Sequence, residues 1–227
     1  MYHKVDPVLS HGLTIAVSKL EDQFQYLTEQ GYRSYHLSEL ESLTQLTEKK
    51  NVVITFDDGY VNQLDYALPL LKKYNLKATF FIPLKYVGDQ DQWNDTPEPI
   101  MDVDSLRNIP TDLVELAYHS YAHKMYSELS MAEIDKDTKQ AFESVKELQL
   151  SLHPSLAYPY GKFPRDAEGK MRFFKHLSDH GFRYGLRIGN RVNSFPFSDP
   201  YEVNRIDVKG EWDLSKFKRR LKFGKWF

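Results

Sequence analysis

The feature that most constrains this chain is the run NVVITF (51–56), continuous, apolar and β-branched, which stops at Asp57-Asp58-Gly59. An apolar run of that length with no alternating polar residues predicts a strand buried on both faces. From Val61 to Tyr74, Leu64, Leu68 and Leu71 recur at helical spacing with Pro69 as an expected kink, and KATFFI (77–82) follows as a second buried strand. Strand, helix and strand make a βαβ unit, so the sheet is expected to be parallel, with functional groups at the carboxyl ends of its strands.

The order repeats. LVELAYH (113–119) predicts a third strand, with Ser130 and Glu133 opening a long helix to about Leu148. PSLAYPYG (154–161) reads as a short strand and turn, 166–180 as a helix closed by Gly181, and FRYGLRI, EVNRIDV and DLSKFKRRL as strand, strand and helix. Upstream, Ser18 with Glu21 and Ser38 with Glu41 have capping-box spacing before helical patterns. Residues 83–100 carry proline and polar turn formers and predict a long loop of the kind that carries function. The expected fold is α/β, a distorted or incomplete (β/α) barrel of about seven parallel strands, with residues 1–227 as one domain.

Composition bounds the chemistry. Thirty Lys+Arg against 32 Asp+Glu give a net charge of -2, so no overall field favours nucleic acid. The absence of cysteine excludes disulfides, thiolate metal sites and a cysteine nucleophile, leaving His and carboxylate as metal donors. No apolar stretch reaches the 18 or so residues of a membrane span, and no signal-peptide core precedes residue 30, so a cytoplasmic protein is expected. The basic, aromatic C-terminus KFKRRLKFGKWF reads as a solvated helix rather than a lipid anchor.

Three polar clusters fall at expected strand ends: TFDDGY (55–60), HSYAH (119–123) and AYPYG (157–161). Adjacent carboxylates at a strand end diverge, so one can bind a cation while the other faces a substrate water. His119 and His123 can both reach one metal, and with one carboxylate they make a His-His-Asp set that leaves coordination positions open, as catalytic sites do. Asp-Asp-Gly alone is a common turn and a lone HxxxH pair is common on surfaces. The argument rests on the three clusters in this order.

In that order they resemble the motifs of the polysaccharide deacetylases, carbohydrate esterase family 4, which share the homology domain of the chitooligosaccharide deacetylases of nodulation (NodB homology). The opening MYHKV and the stretch VSKLEDQFQYLTEQGYRSYHLSEL are similar to the short branch related to poly-N-acetylglucosamine deacetylases. The resemblance implies a TIM-like barrel and a hydrolase that removes N-acetyl groups from a glycan, oligosaccharide or glycan precursor. It implies Asp58, His119 and His123 as ligands of a divalent metal, zinc first and nickel or cobalt acceptable. It further implies Asp57 as general base and the Tyr160 backbone N–H as oxyanion donor. Tyr60, Trp93 and Pro159 are candidate sugar-contacting residues, and Gly59 and Gly161 are expected in tight turns.

Two departures from the family pattern stand out. The arginine that usually begins the third motif and pairs with the catalytic aspartate is Ala157 here; Arg205 or Arg191 could supply that cation, or Arg205 could meet the substrate, although a surface arginine is the ordinary reading. The late Leu-x-His motif that carries the general acid is missing. His176 and His180 fit a helix end, which leaves His3 as an alternative proton donor. Without the acid, O-acetyl ester cleavage or hydrolysis of a small amide on the same fold is an alternative, and a degenerate glycan-binding protein is another.

Overall fold

The computed structural model describes residues 1–225; Trp226 and Phe227, the end of the basic aromatic stretch, lie outside the described residues. The chain opens with β1 (Lys4–Asp6) and β2 (Thr14–Ala16), a parallel pair, followed by α1 (Val17–Glu29). β3 (Arg33–Ser34), α2 (Leu37–Glu41) and β4 (Asn51–Val52) come next, with β3 and β4 paired in parallel. Then β5 (Ile54–Phe56), a π-helical turn at Gln63–Ala67, α3 (Leu68–Tyr74) and β6 (Ala78–Ile82) form the βαβ unit. The remaining elements are α4 (Val103–Arg107), β7 (Val114–Tyr118), α5 (Met131–Glu147), β8 (His153–Ala157), α6 (Ala167–Asp179), β9 (Tyr184–Ile188), β10 (Val203–Arg205) and α7 (Leu214–Phe223).

β5 to β10 make one parallel six-stranded sheet in sequence order, curled into a half barrel. The N-terminal stretch bridges its two edges. Tyr2 N donates to Thr55 O at 2.8 Å and Asp57 N to Tyr2 O at 3.0 Å on the β5 side. Beyond β10, Val208 N donates to Met1 O at 3.2 Å and Met1 N to Ile206 O at 2.7 Å. The seventh strand is therefore not a regular element of the main sheet but this short stretch.

Several local expectations change. The run 51–56 is split at Val53: its first half pairs with β3 and its second with β6, so one apolar sequence serves two sheets. Ser18 lies inside α1, whose N-cap is Ala16, and the capping box of α2 is His36 with Glu39 rather than Ser38 with Glu41. Pro69 is the second residue of α3, and the turn before it is π, with Leu68 N–H bonded to Gln63 O. Proline has no N–H to give the carbonyl four residues back, and a wider turn accommodates that loss. Ser130 and Glu133 form the expected reciprocal box on α5.

Strand alternation sorts the side chains into two layers. Ile54, Phe56, Ala78, Phe80, Ile82, Val114, Leu116, Tyr118, Leu156 and Tyr158 face the outer helices and join the main core. The opposite set, Phe81, Ala117, Ala157, Leu186 and Val203, points into the barrel and meets Tyr35, just after β3, and Leu37 and Leu40 of α2. Burying each Phe or Leu contributes about 1.5–3 kcal/mol. The same inward phase, continued to the carboxyl ends, carries Asp57, His119 and Arg205. Among the described residues no helix is long and apolar enough to cross a membrane.

Candidate active site

The site lies where β5, β7 and β10 end. Asp58 follows Asp57 with a left-handed φ of 73°, and Gly59 continues at 63°, a tight turn that throws the two carboxylates in different directions. A Cβ on Gly59 would come within 3.0 Å of Ile82 Cδ1. After β7, Ser120 (φ 66°) and His123 (φ 53°) fold the histidine segment back on itself. This loop is held from α5: Asp137 accepts from Tyr121 N at 3.0 Å, Ala122 N at 2.9 Å and the Tyr126 hydroxyl at 3.1 Å. Ser120 Oγ accepts from His123 N at 2.8 Å.

The result brings Asp58, His119 and His123 together, one donor atom of each lying within 4.8 Å of the others, all buried. Asp58 Oδ1 is 3.3 Å from His119 Nε2 and 3.1 Å from His123 Nε2, yet it has no aligned hydrogen bond. His119 Nδ1 lies 2.8 Å from Ala157 O, which can only accept, so the proton sits on Nδ1 and Nε2 offers its lone pair. One carboxylate oxygen and two imidazole nitrogens converging in a buried space without bonding one another are the donor set a borderline divalent cation takes. The residues present fit a metal.

Asp57 is the other half of the site. Arg205 grips it bidentately, Nη1 to Oδ1 at 2.5 Å and Nη2 to Oδ2 at 2.8 Å, with both side chains buried. Arg205 therefore supplies the cation that Ala157 cannot, from β10, two strands along the sheet from β8, and it faces Asp57 rather than a sugar. Burial would raise the Asp57 carboxyl pKa, but Arg205, His119 and His3 together hold it below the usual range. Burial likewise opposes ionisation of Asp58, and the two histidines outweigh it, leaving the carboxyl well below its usual value. His119 is raised because the carboxylates overcome its burial, whereas for His123 burial wins and lowers the pKa.

His3 reaches this centre from the N-terminal stretch, its Nε2 3.9 Å from Asp57 Oδ2, and burial lowers its pKa. Gln63, fully buried in the π turn, donates to His3 O at 2.9 Å and to Asp57 O at 2.6 Å, tying the two segments together. Neither Gln63 nor Asp137 is visible in the motifs. The one signal for Asp137 is a carboxylate on the buried stripe of α5, between Ile134 and Ala141.

The aromatic candidates separate. Trp93, from the long loop, stacks on His123 at 3.7 Å between centroids, and Tyr160 stands 5.0 Å from the same ring. Tyr160 is 45% exposed, with φ 58°, and its neighbour Gly161 (φ 64°) has no room for a Cβ, which would lie 2.6 Å from Ile188 Cγ1. Tyr60 is only 1% exposed and its hydroxyl accepts from Asn94, so it offers no face to a sugar. Pro159 is buried as well and lines no open wall. Arg191 is exposed, and the guanidinium bonded to Asp57 is that of Arg205.

A family model described as polysaccharide deacetylase matches residues 44–184. The chain belongs to that family. Among curated relatives it is 26% identical over 183 residues to the poly-beta-1,6-N-acetyl-D-glucosamine N-deacetylase of Staphylococcus epidermidis, covering 73% of this chain and 60% of that one. With YxkH of Bacillus subtilis it shares 25% identity over 171 residues, 72% of this chain and 56% of the relative. The chain thus spans somewhat more than half the length of these two relatives. Of solved structures, the Streptococcus pyogenes deacetylase PplD, in complex with acetate, superposes with a TM-score of 0.79 at 19% identity, over 97% of this chain and 96% of that one. IcaB from Ammonifex degensii gives 0.77 at 23% identity, over 97% and 93%. These superpositions establish the fold, and the deacetylase family supplies the frame for the site.

Proposed function

We propose that the protein is a divalent-metal-dependent N-deacetylase acting on an N-acetylglucosamine-containing glycan or oligosaccharide. The observation that carries this reading is the buried Asp58, His119 and His123 set lying beside the Asp57–Arg205 ion pair. The three side chains would hold the ion, zinc by the balance of nitrogen and oxygen donors, with nickel or cobalt as substitutes. Such an ion supplies Lewis-acid chemistry, lowering the pKa of a water and polarising a carbonyl oxygen.

The chain's own groups do the rest. Asp57, kept ionised and oriented by Arg205, accepts a proton from the attacking water as its oxygen adds to the acetamide carbon. The Tyr160 N–H donates to the oxyanion that develops on the former carbonyl. When the C–N bond breaks, the amine nitrogen takes a proton, leaving free amine and acetate. His3 is assigned as relay for that proton, because it is 3.9 Å from the base and a buried imidazolium of lowered pKa is a stronger acid. Trp93 and Tyr160, flanking His123, would form the aromatic wall against which a pyranoside packs.

The relatives whose names specify poly-beta-1,6-N-acetyl-D-glucosamine support that substrate class for this chain. The test is acetate release from N-acetylglucosamine oligomers by zinc-loaded protein, with metal content measured on the same samples. Release that disappears together with zinc in His119→Ala and His123→Ala supports the reading. Acetate from O-acetylated sugars alone would make the protein an esterase, and a zinc-loaded protein inactive on both would overturn catalysis.

A further inference from the structure

A second cluster of metal-binding side chains lies outside the barrel, where the start of α5 meets the end of α6. His176 and His180 are one helical turn apart, and one donor atom of each lies within 4.8 Å of the others and of Asp135. The geometry points to a second divalent-cation site here, of the zinc, nickel or copper class, that staples α5 to α6.

Hydrogen bonding fixes what each ring offers. His180 Nδ1 lies 2.9 Å from His176 O, a carbonyl that can only accept, so the proton is on Nδ1 and the lone pair on Nε2. That Nε2 faces Asp135 Oδ1 at 3.5 Å. A lone pair and a carboxylate oxygen facing each other across that gap are satisfied either by a second proton on the ring or by a metal cation, and the neighbouring His176 ring favours the metal. His176 Nε2 is 3.0 Å from the Thr138 hydroxyl, which can accept the ring N–H; in that tautomer Nδ1 is the second nitrogen open to an ion. The two rings sit 4.1 Å apart at 38°, an arrangement that disfavours a proton on each and suits one shared ion.

Asp135 has an oxygen to spare. Lys139 Nζ binds its Oδ2 at 2.6 Å, which leaves Oδ1 for the cation. Lys175 is engaged with Asp179 one turn further along α6 and does not compete. A pair of imidazoles at i, i+4 with one carboxylate is the borderline-metal donor set, with the remaining positions open to water. The end of α6 also carries the negative pole of the helix, which favours positive charge at His180. The consequence is mechanical: α5 also carries Asp137, the acceptor that holds the backbone of the histidine loop. An ion at Asp135 would therefore stiffen the helix that positions His119 and His123.

The experiment is zinc counting by elemental analysis after dialysis of the full chain against zinc chloride, with thermal unfolding measured beside it. Wild type is expected to retain two equivalents and His176→Gln/His180→Gln one, while His119→Ala/His123→Ala keeps the α5–α6 ion. In that last background, zinc at about 100 times its dissociation constant should raise Tm by about 5–10 °C. Adding Asp135→Asn and His180→Gln should abolish the rise. Unchanged zinc content and unchanged Tm response in His176→Gln/His180→Gln would overturn the site, whatever the fate of the first. Loss of all zinc in His119→Ala/His123→Ala, with the fold intact by circular dichroism, would overturn it too. If wild type retains only one equivalent and loses it in His176→Gln/His180→Gln, this site stands and the catalytic metal reading fails.

Discussion

The two ends of the barrel are built from the same strands and have opposite characters. At the amino end, Glu115 of β7 accepts from Leu37 N at 2.9 Å and Ser38 N at 3.0 Å, capping α2, while Thr79 donates to the same carboxylate at 3.0 Å. Glu39 pairs with Lys77 at 2.7 Å. Leu37 and Leu40 fill the interior behind them. At the carboxyl end, Asp58, Ser120, His123 and Tyr160 are all in left-handed backbone, and buried atoms of His3, Asp58, His123 and Arg205 have no partner. Non-glycine residues at positive φ cost of order 1–3 kcal/mol each, and an unpaired buried polar atom costs about as much. The amino end is not free of such features: Asn75 and Gln149 are left-handed where they close helices, and His36 Nε2 is buried without a partner. At the carboxyl end, however, these strained and unpartnered residues are those of the Asp58, His119 and His123 cluster and its immediate neighbours.

The largest effect that tests this contrast is Asp57→Asn. It should lower kcat by about 10²–10⁴-fold, as loss of a general base does, without removing the zinc that elemental analysis finds in wild type. Loss of zinc in this variant would mean that Asp57 is a ligand and not a base. Next is Arg205→Met, which strands a buried carboxylate and should cost about 3–5 kcal/mol in urea unfolding. Combining it with Asp57→Asn should cost less than the sum of the two single changes, because the pair is coupled.

At the other end the effects should be smaller and purely structural. Glu115→Gln weakens two charge-assisted bonds to the start of α2 and should cost about 1–2 kcal/mol, with acetate release unchanged. A loss of activity equal to that of Asp57→Asn would erase the distinction between the ends. The smallest effect is the pH response of Glu39. Burial opposes its charge, but Lys77 and the His36 N–H outweigh it and lower its pKa below 4.5. A depressed carboxyl stabilises the fold above the unfolded-state value and loses that contribution as pH falls through the folded one. Lys77→Met should therefore flatten the acid limb of stability below about pH 4.5, measured by urea unfolding at successive pH values.

How much of this was legible is best seen residue by residue. The βαβ order, the strand ends at Asp57 and His119 and the turn glycines follow from local pattern, because hydrophobic period and backbone conformation are set within a few residues. Arg205 was visible only as one arginine among several, since its partner lies 148 residues away. Tyr60, at the end of the first motif, and Trp93, in the long loop, are equal candidates in the sequence. Packing buries the first and lays the second on His123. The split of 51–56 between two sheets was hidden because both halves are equally apolar.

The two histidine pairs make the same point. Each is HxxxH, yet one is folded into a buried loop by left-handed Ser120 and His123, and the other lies along the end of a regular helix. The sequence by itself determined the fold class, the order of strands and helices and the family, because these rest on periodicity and short motifs. Tertiary structure alone decided which cation pairs with Asp57, which side chains hold the histidine loop, and that residues 1–3 bridge the two edges of the sheet. Those depend on long-range pairing of polar groups, whose energies exist only after burial has removed water from around them.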